Sequence, residues 1–228
     1  MRTVKTIALA LCVMMITGCA LWSWLGFGTP SHIGRGSPAD LYRSGIELYQ
    51  DKKYKRAIEN FTRLREEYPL SQYTVLAEMG IADSYYSSGD YLMAEAYYRE
   101  FIAMRPTNEN VPYAMYQIGM CNYNEMLGVD RDQENTRAAK AAFESLIARF
   151  PSSRYAFMAE QKLRECKQRL GEHEFYVGRF YFRRGEYEAA LRRFENIQQN
   201  YPNLGLDYKV SYFLHETRRR MKDDKAEG

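Results

Sequence analysis

The sequence predicts an all-α fold, a solenoid of tetratricopeptide-type (TPR-type) helix hairpins with about five repeats. Two observations lead to this prediction. One spacing of small, aromatic and proline residues occurs twice between Pro38 and Pro106, and variants of the same unit follow towards the C-terminus. A hairpin of this length cannot bury its apolar side alone, so successive hairpins must stack on one another.

The first two repeats match when Tyr54 is aligned with Tyr91. Small residues allow two antiparallel helices to approach, an aromatic ring fills the space beside them, and proline stops the second helix. All three features coincide in the alignment, and the matched pairs are Gly45 with Ala82, Ala57 with Ala94, Phe61 with Tyr98, and Pro69 with Pro106.

Two more repeats are predicted after Pro106. The third contains Gly119 and Phe143 and is interrupted by an insertion, LGVDRDQEN, while the fourth contains Gly178 and Phe194. By the same spacing, the second helix of each unit is expected to end before a proline.

The segment between the third and fourth repeats has no proline, and only Gly171 separates it from the fourth repeat. One interior glycine costs about 1 kcal/mol relative to alanine and does not end a helix by itself. We therefore expect one long helix over residues 154–184. A last helix over about residues 206–222 is expected to cap the stack, with residues 223–228 as a disordered tail.

The N-terminal residues 1–18 have a basic start and the apolar run IALALCVMMI, as a secretory signal peptide does. Its end, Ile16-Thr17-Gly18-Cys19, resembles the lipobox of bacterial lipoproteins, which implies that Cys19 becomes the acylated N-terminus. The alternative is an ordinary signal peptide followed by a chance cysteine. Because Ala20 follows instead of aspartate, the lipoprotein sorting rule favours the inner leaflet of the outer membrane.

Residues 19–37 are predicted to form a lipidated tether, since they are rich in Gly, Ser and Pro from Gly26 onwards. Trp22 and Trp24 suit the headgroup region of a membrane, but they suit packing on the first repeat equally well.

The composition excludes several classes of function. The formal net charge is +3, and once Arg2 and Lys5 leave with the signal peptide the charges nearly balance, which argues against a nucleic-acid binder. The histidines are scattered and no catalytic or metal-binding motif occurs, so we expect no enzyme, no cofactor and no metal. Cys121 and Cys166 are expected to be buried thiols, with a disulfide between them as the alternative.

Aromatic residues fall at fixed places in the first helix of each repeat. In a TPR stack the fifth and twelfth positions of that helix face the inner groove, and a groove of rings suits an extended or hairpin peptide. The alternative is that these rings pack between neighbouring repeats. The fifth and twelfth positions are Tyr42 and Tyr49, Met79 and Tyr86, Tyr116 and Tyr123, and Phe175 and Phe182; the ninth positions include Asp83.

The chain resembles one family, the YfiO (or ComL) lipoproteins of the β-barrel assembly machinery of Gram-negative outer membranes. The resemblance covers the mature chain from Pro38 to Met221, including FIAMRPTNENVPYAMYQIGMCNY, GVDRD at residues 128–132 and RLGEHEFYVGRFYFRRGEYEAALRRFENIQQNYP. It implies a non-catalytic scaffold and substrate receptor, lipid-anchored on the periplasmic face of the outer membrane.

The resemblance also implies partners. The repeats over residues 38–126 would receive unfolded outer-membrane proteins in a groove containing Tyr42, Tyr49, Asp83, Tyr86, Tyr116 and Tyr123. The repeats over residues 127–222 would hold a periplasmic POTRA domain of the barrel-inserting subunit BamA, alongside other lipoproteins of the machinery. The residues implied for that contact are Arg183, Arg184 and Glu186, with Asp130 and Arg131 of the insertion nearby.

Two other functions fit the sequence less well. A periplasmic TPR coordinator of envelope constriction or peptidoglycan synthesis would usually carry a coiled coil before its repeats and no lipobox. A wall enzyme would need a catalytic constellation, which the sequence does not contain.

Overall fold

The structure, a computed structural model, describes residues 36–227, and this part of the chain forms nine α-helices and no strand. The helices are α1 (Pro38–Gln50), α2 (Tyr54–Glu67), α3 (Gln72–Ser88), α4 (Tyr91–Met104), α5 (Val111–Asn124), α6 (Glu134–Arg149), α7 (Arg154–Arg183), α8 (Tyr187–Asn200) and α9 (Asp207–Glu227). Each packs mainly on the helix before it and the helix after it, which confirms the predicted TPR-type solenoid. The predicted signal peptide, Cys19 and the tether up to residue 35 lie outside the described residues.

Local chemistry sets the helix starts. The hydroxyls of Ser37, Ser71 and Ser153 accept hydrogen bonds from backbone N–H groups at the starts of α1, α3 and α7. These bonds satisfy donors that have no partner within the helix. Pro38 occupies the first turn of α1, where its missing N–H costs nothing.

The core consists of one aromatic ring per repeat, packed against a small residue of the partner helix. Phe61, Phe143 and Phe194 are fully buried, and a Cβ atom added at Gly45, Gly119 or Gly178 would overlap the corresponding ring. In the second repeat, fully buried Tyr98 takes this place. The predicted pairing of small and aromatic residues is therefore confirmed as the rule that joins the two helices of each hairpin.

The long helix α7 is continuous over 30 residues, as predicted, and Gly171 does not interrupt it. Its first half packs on α6 and its second half on α8. Gly171 is buried beside Tyr201, so its missing side chain makes room for the turn between α8 and α9. At 1.5 Å per residue α7 spans about 45 Å, and it connects the first three repeats to the last hairpin.

The last helix, α9, buries Val210, Leu214 and Thr217 against the preceding hairpin. It continues to Glu227, so the prediction of a disordered tail from residue 223 is wrong for residues 223–227. Ion pairs one turn apart favour the continued helix, including Arg219 with Asp223 at 3.9 Å.

Both cysteines of the described chain are free and buried, Cys121 on α5 and Cys166 on α7. Burial raises the pKa of each thiol to about 12, which makes both unreactive at neutral pH. The prediction of buried thiols is confirmed, and the alternative disulfide is wrong.

Candidate functional site

The candidate groove residues form what we call the aromatic stripe, the side chains of Tyr42, Tyr49, Tyr86, Tyr116 and Tyr123 along the first helices α1, α3 and α5. All five are half-buried. The structure thus places each ring partly against the core and partly at the surface.

The fifth-position tyrosines cover the core rings of their own repeats. The ring centroid of Tyr42 lies 6.0 Å from that of Phe61, and the centroid of Tyr116 lies 5.9 Å from that of Phe143. Each also contacts a tyrosine at the start of the next first helix, since Tyr42 lies 5.5 Å from Tyr73. These rings therefore shield the core and bridge adjacent repeats.

The twelfth-position tyrosines are each hydrogen-bonded to the following repeat. The hydroxyl of Tyr49 lies 2.8 Å from the hydroxyl of Ser87, and the amide of Asn124 donates to the hydroxyl of Tyr86 at 2.8 Å. The hydroxyl of Tyr123 donates to the Glu165 carboxylate, which helps to raise its pKa. Each hydroxyl is thus hydrogen-bonded within the fold, while each side chain remains partly exposed.

Asp83 occupies a different environment from the one expected of a groove residue. Its Oδ1 atom accepts hydrogen bonds from the hydroxyls of Tyr98 at 2.6 Å and Tyr113 at 2.7 Å. These bonds join α3, α4 and α5, so the carboxylate links the second repeat to the third. Burial raises its pKa, and the two hydroxyls partly offset that effect.

The raised pKa of Asp83 predicts how stability depends on pH. Between the ordinary aspartate pKa of 3.8 and the higher native value, the folded chain binds more protons than the unfolded chain. The contribution of this group to stability therefore falls as pH rises through that window. Asp83→Asn keeps an oxygen acceptor but cannot titrate. We expect urea unfolding at pH 4 to 7 to show the wild type losing stability relative to Asp83→Asn as pH rises; a difference that stays constant would contradict this.

Four residues in the first half of α7 extend the aromatic stripe and were not predicted from the sequence. Tyr155 lies 6.0 Å from Tyr116 between ring centroids, and the Lys162 ammonium lies 4.3 Å from the ring centroid of Tyr123. Met158, between them, is 47% exposed. Their helical spacing, with Glu165 as the fourth member, is the sequence feature that identifies them as one face of a helix.

The candidate partner residues of the fourth repeat form the turn between α7 and α8. Arg183, Arg184 and Glu186 are all exposed. Gly185 has φ of 77°, which allows a tight turn that a residue with a side chain rarely adopts. The Nε atom of Arg184 lies 2.8 Å from a carboxylate oxygen of Glu186, and its guanidinium lies 5.4 Å from the Phe180 ring centroid.

The insertion in the third repeat folds onto the middle of α7. Arg169 donates to the carbonyl of Leu127 at 2.7 Å, and His173 Nδ1 donates to the carbonyl of Val129 at 2.7 Å. Asp130 and Arg131, next in the chain, are exposed. The structure therefore holds the insertion beside the same helix that ends in the Arg183–Glu186 turn.

The two groups of candidate partner residues lie near the ends of one face of α7, which we call the α7 strip. His173, Tyr176, Phe180 and Arg184 recur at helical spacing along this face. Tyr176 is 48% exposed and Phe180 is 42% exposed, so rings lie between the charged ends. Eleven residues of helix separate His173 from Arg184, about 16 Å. An apolar centre with a charged rim is typical of a protein-binding surface.

Other features of the described residues are negative findings. They contain no group of His, Cys, Asp or Glu side chains arranged to hold a metal ion. Among residues 36–227, no helix combines the length and apolar character needed to cross a bilayer.

Comparisons with known proteins agree with one another. A family model described as "YfiO: Outer membrane lipoprotein" matches residues 35–227. A Rickettsia prowazekii protein named outer membrane protein assembly factor BamD is 32% identical over 179 residues, which is 78% of this chain and 71% of the relative. Proteins of the same name from Vibrio cholerae and Haemophilus influenzae are 26% and 25% identical, and the alignments cover 87% and 97% of this chain and 84% and 86% of those relatives.

Proposed function

This chain belongs to the YfiO family of outer membrane lipoproteins, and from this premise we propose that it is a non-catalytic scaffold and substrate receptor in outer membrane protein assembly. The observation that carries the proposal is that relatives aligned over most of the chain are named outer membrane protein assembly factor. A stack of helix hairpins with exposed ring surfaces supports function by binding.

Unfolded outer-membrane proteins bind the aromatic stripe through the aromatic strand at their C-termini. Half-buried rings favour this role, because an incoming apolar side chain can cover their surface without any rearrangement of the core. The support comes from Tyr49 and Tyr86, whose hydroxyls are fixed by Ser87 and Asn124. Rings held in this way lose little conformational entropy when a peptide binds.

A POTRA domain of a BamA-like insertase binds the α7 strip, with other lipoproteins of the machinery in the same complex. The strip has Asp130 and Arg131 beside one end and Arg184 and Glu186 at the other, and two exposed rings lie between these ends. In this proposal residues 38–126 form the substrate side and residues 127–222 the partner side. Residues 19–37 tether the solenoid to the outer membrane through acylated Cys19, on its periplasmic face.

Co-purification from detergent-solubilised outer membranes tests the proposal. Recovery of a barrel protein with POTRA domains supports it, whereas recovery of Tol-type or peptidoglycan-synthesis proteins favours the coordinator. Hydrolysis of wall fragments by the purified chain would favour an enzyme.

The aromatic stripe gives a prediction of its own. Replacing both Tyr49 and Tyr86 by alanine should strongly reduce cross-linking of a client C-terminal peptide, because the ring surfaces are lost, while circular dichroism stays helical. The matched control is phenylalanine at both positions, which keeps the rings and removes only two hydroxyl bonds worth about 1 kcal/mol each. Loss of helicity in the alanine variant would instead assign the rings to the core, and undiminished cross-linking would remove them from the groove.

A further inference from the structure

The turns between successive repeats lie at one edge of the first three repeats. Because consecutive helices are antiparallel, each second helix ends, and each following first helix begins, at this edge. We call it the entry edge, since the described chain also begins there: the Tyr68 hydroxyl donates to the carbonyl of Gly36 at 3.1 Å. The chain that precedes Gly36 therefore joins the solenoid beside the first of these turns.

An exposed large apolar side chain lies in the first turn of the entry edge, at the end of the helix before the second turn, and one helical turn after the third. Leu70 is 99% exposed, Met104 is 59% exposed and Phe157 is 65% exposed. Single exposed apolar residues are ordinary on a protein surface. Here one such residue lies at or beside each of the three turns of the entry edge, and we call these three residues the entry-edge row.

Two arginines at the third turn add positive charge to this row. Arg149 donates to the carbonyl of Pro106 and lies over the Phe150 ring, while Arg154 contacts Tyr155. These contacts are all with neutral groups, and neither guanidinium has a carboxylate within ion-pair distance among residues 36–227. Their charge therefore remains available to an anionic surface.

The entry edge also carries exposed carboxylates, Glu66, Glu67 and Glu109, so exposed charge does not distinguish it from the opposite edge of these repeats. The first two turns of the opposite edge consist of Asp51, Lys52 and Lys53, and of Gly89 and Asp90. Two exposed leucines lie at the opposite edge: Leu92, 77% exposed, just after the second turn, and Leu127, 45% exposed, in the insertion. Leu92 at the opposite edge is about as exposed as the residues at the entry edge, so it serves as the matched control.

We propose that the entry edge lies against the phospholipid surface of the membrane that holds the anchor. Leu70, Met104 and Phe157 enter the headgroup region, and Arg149 and Arg154 face lipid phosphates. This inference rests on the proposed anchor at Cys19. The chain from Cys19 to Gly36 can extend to about 60 Å. The anchor therefore limits how far the solenoid can lie from the membrane, and contact through the entry edge fixes how the solenoid is oriented on it.

The test uses the mature, acylated full chain in vesicles of phosphatidylethanolamine and phosphatidylglycerol. A fluorophore is attached to a cysteine introduced by Leu70→Cys, Phe157→Cys or, as control, Leu92→Cys, and spin-labelled headgroups act as the quencher. The native thiols Cys121 and Cys166 are buried and do not compete for the label. Quenching at positions 70 and 157 should exceed that at position 92 about threefold or more, because contact quenching falls steeply with distance from the headgroups.

A second measurement places the label at Met104 and tests the contribution of Leu70 and Phe157, which then carry no label. With the fluorophore introduced by Met104→Cys, the pair Leu70→Ser and Phe157→Ser should reduce quenching by about half, whereas Leu92→Ser should leave it unchanged. Equal quenching at position 92 overturns the orientation and leaves the anchor and the proposed function intact. A mature chain that carries no acyl group and does not float with the vesicles overturns both the anchor and the orientation.

Discussion

Replacing Phe143 by alanine is expected to lower the free energy of unfolding by about 3–5 kcal/mol, the largest effect on stability that we predict. The ring is fully buried between α5 and α6, and the backbone of Gly119 lies directly against it. Removing it leaves a cavity between the two helices, which the surrounding side chains only partly fill. Urea unfolding monitored by circular dichroism measures the change, and Phe157→Ala, which removes a 65% exposed ring, is expected to change stability by less than about 0.5 kcal/mol.

Gly119→Ala tests whether close approach is the reason for the glycine. In the wild-type chain the added methyl group overlaps the Phe143 ring, so we expect a loss of about 1–3 kcal/mol. In the Phe143→Ala background the overlap is gone, and the same change should become neutral or stabilising, because alanine favours a helix over glycine by about 1 kcal/mol. The same loss in both backgrounds would mean that the ring and the glycine are not coupled.

Arg184→Glu is expected to weaken binding of an isolated POTRA domain by about 2–4 kcal/mol, or roughly 30- to 1,000-fold in the dissociation constant. Arg184 is exposed, and within residues 36–227 its one ion pair is with Glu186, two residues away, so its forked donor group is available to a partner carboxylate. Reversing the charge also places two carboxylates side by side. Isothermal titration calorimetry measures the effect.

Two further variants make that result specific. Arg184→Lys keeps the positive charge but not the forked guanidinium group, so we expect an intermediate loss of affinity for the POTRA domain. Lys52→Glu reverses an equally exposed charge at the turn of the first repeat and should leave affinity unchanged. If Arg184→Glu binds as tightly as the wild type, Arg184 lies outside the interface.

Much of the fold was predictable because a solenoid depends on neighbours in sequence. Gly119 and Phe143 belong to one hairpin, so their pairing follows from the spacing of small and aromatic residues. The continuity of α7 was predictable for a similar reason, since no proline interrupts it. The end of α9 was not, because ion pairs such as Arg219 with Asp223 extended a helix whose sequence is too polar to indicate burial.

The candidate site was only partly predictable. The positions of Tyr49 and Tyr86 followed from the repeat spacing, but their hydroxyl partners on the next repeat did not. Asp83 was assigned to the groove by its position, whereas the structure engages it with Tyr98 and Tyr113. Which partners a side chain contacts depends on which residues of the next hairpin lie opposite it, and the repeat spacing does not give that information.

The sequence by itself determined that this chain is a stack of helix hairpins, because helix periodicity, proline stops and the pairing of small with aromatic residues are local properties. Only the tertiary structure decided that the insertion lies on α7, and that the exposed residues Asp130 and Arg184 therefore belong to one strip. Only the tertiary structure showed that Leu70, Met104 and Phe157 are exposed to solvent at the same edge. The physical reason is the same in both cases: residues distant in sequence become neighbours only when the stacked repeats fix their relative rotation and height.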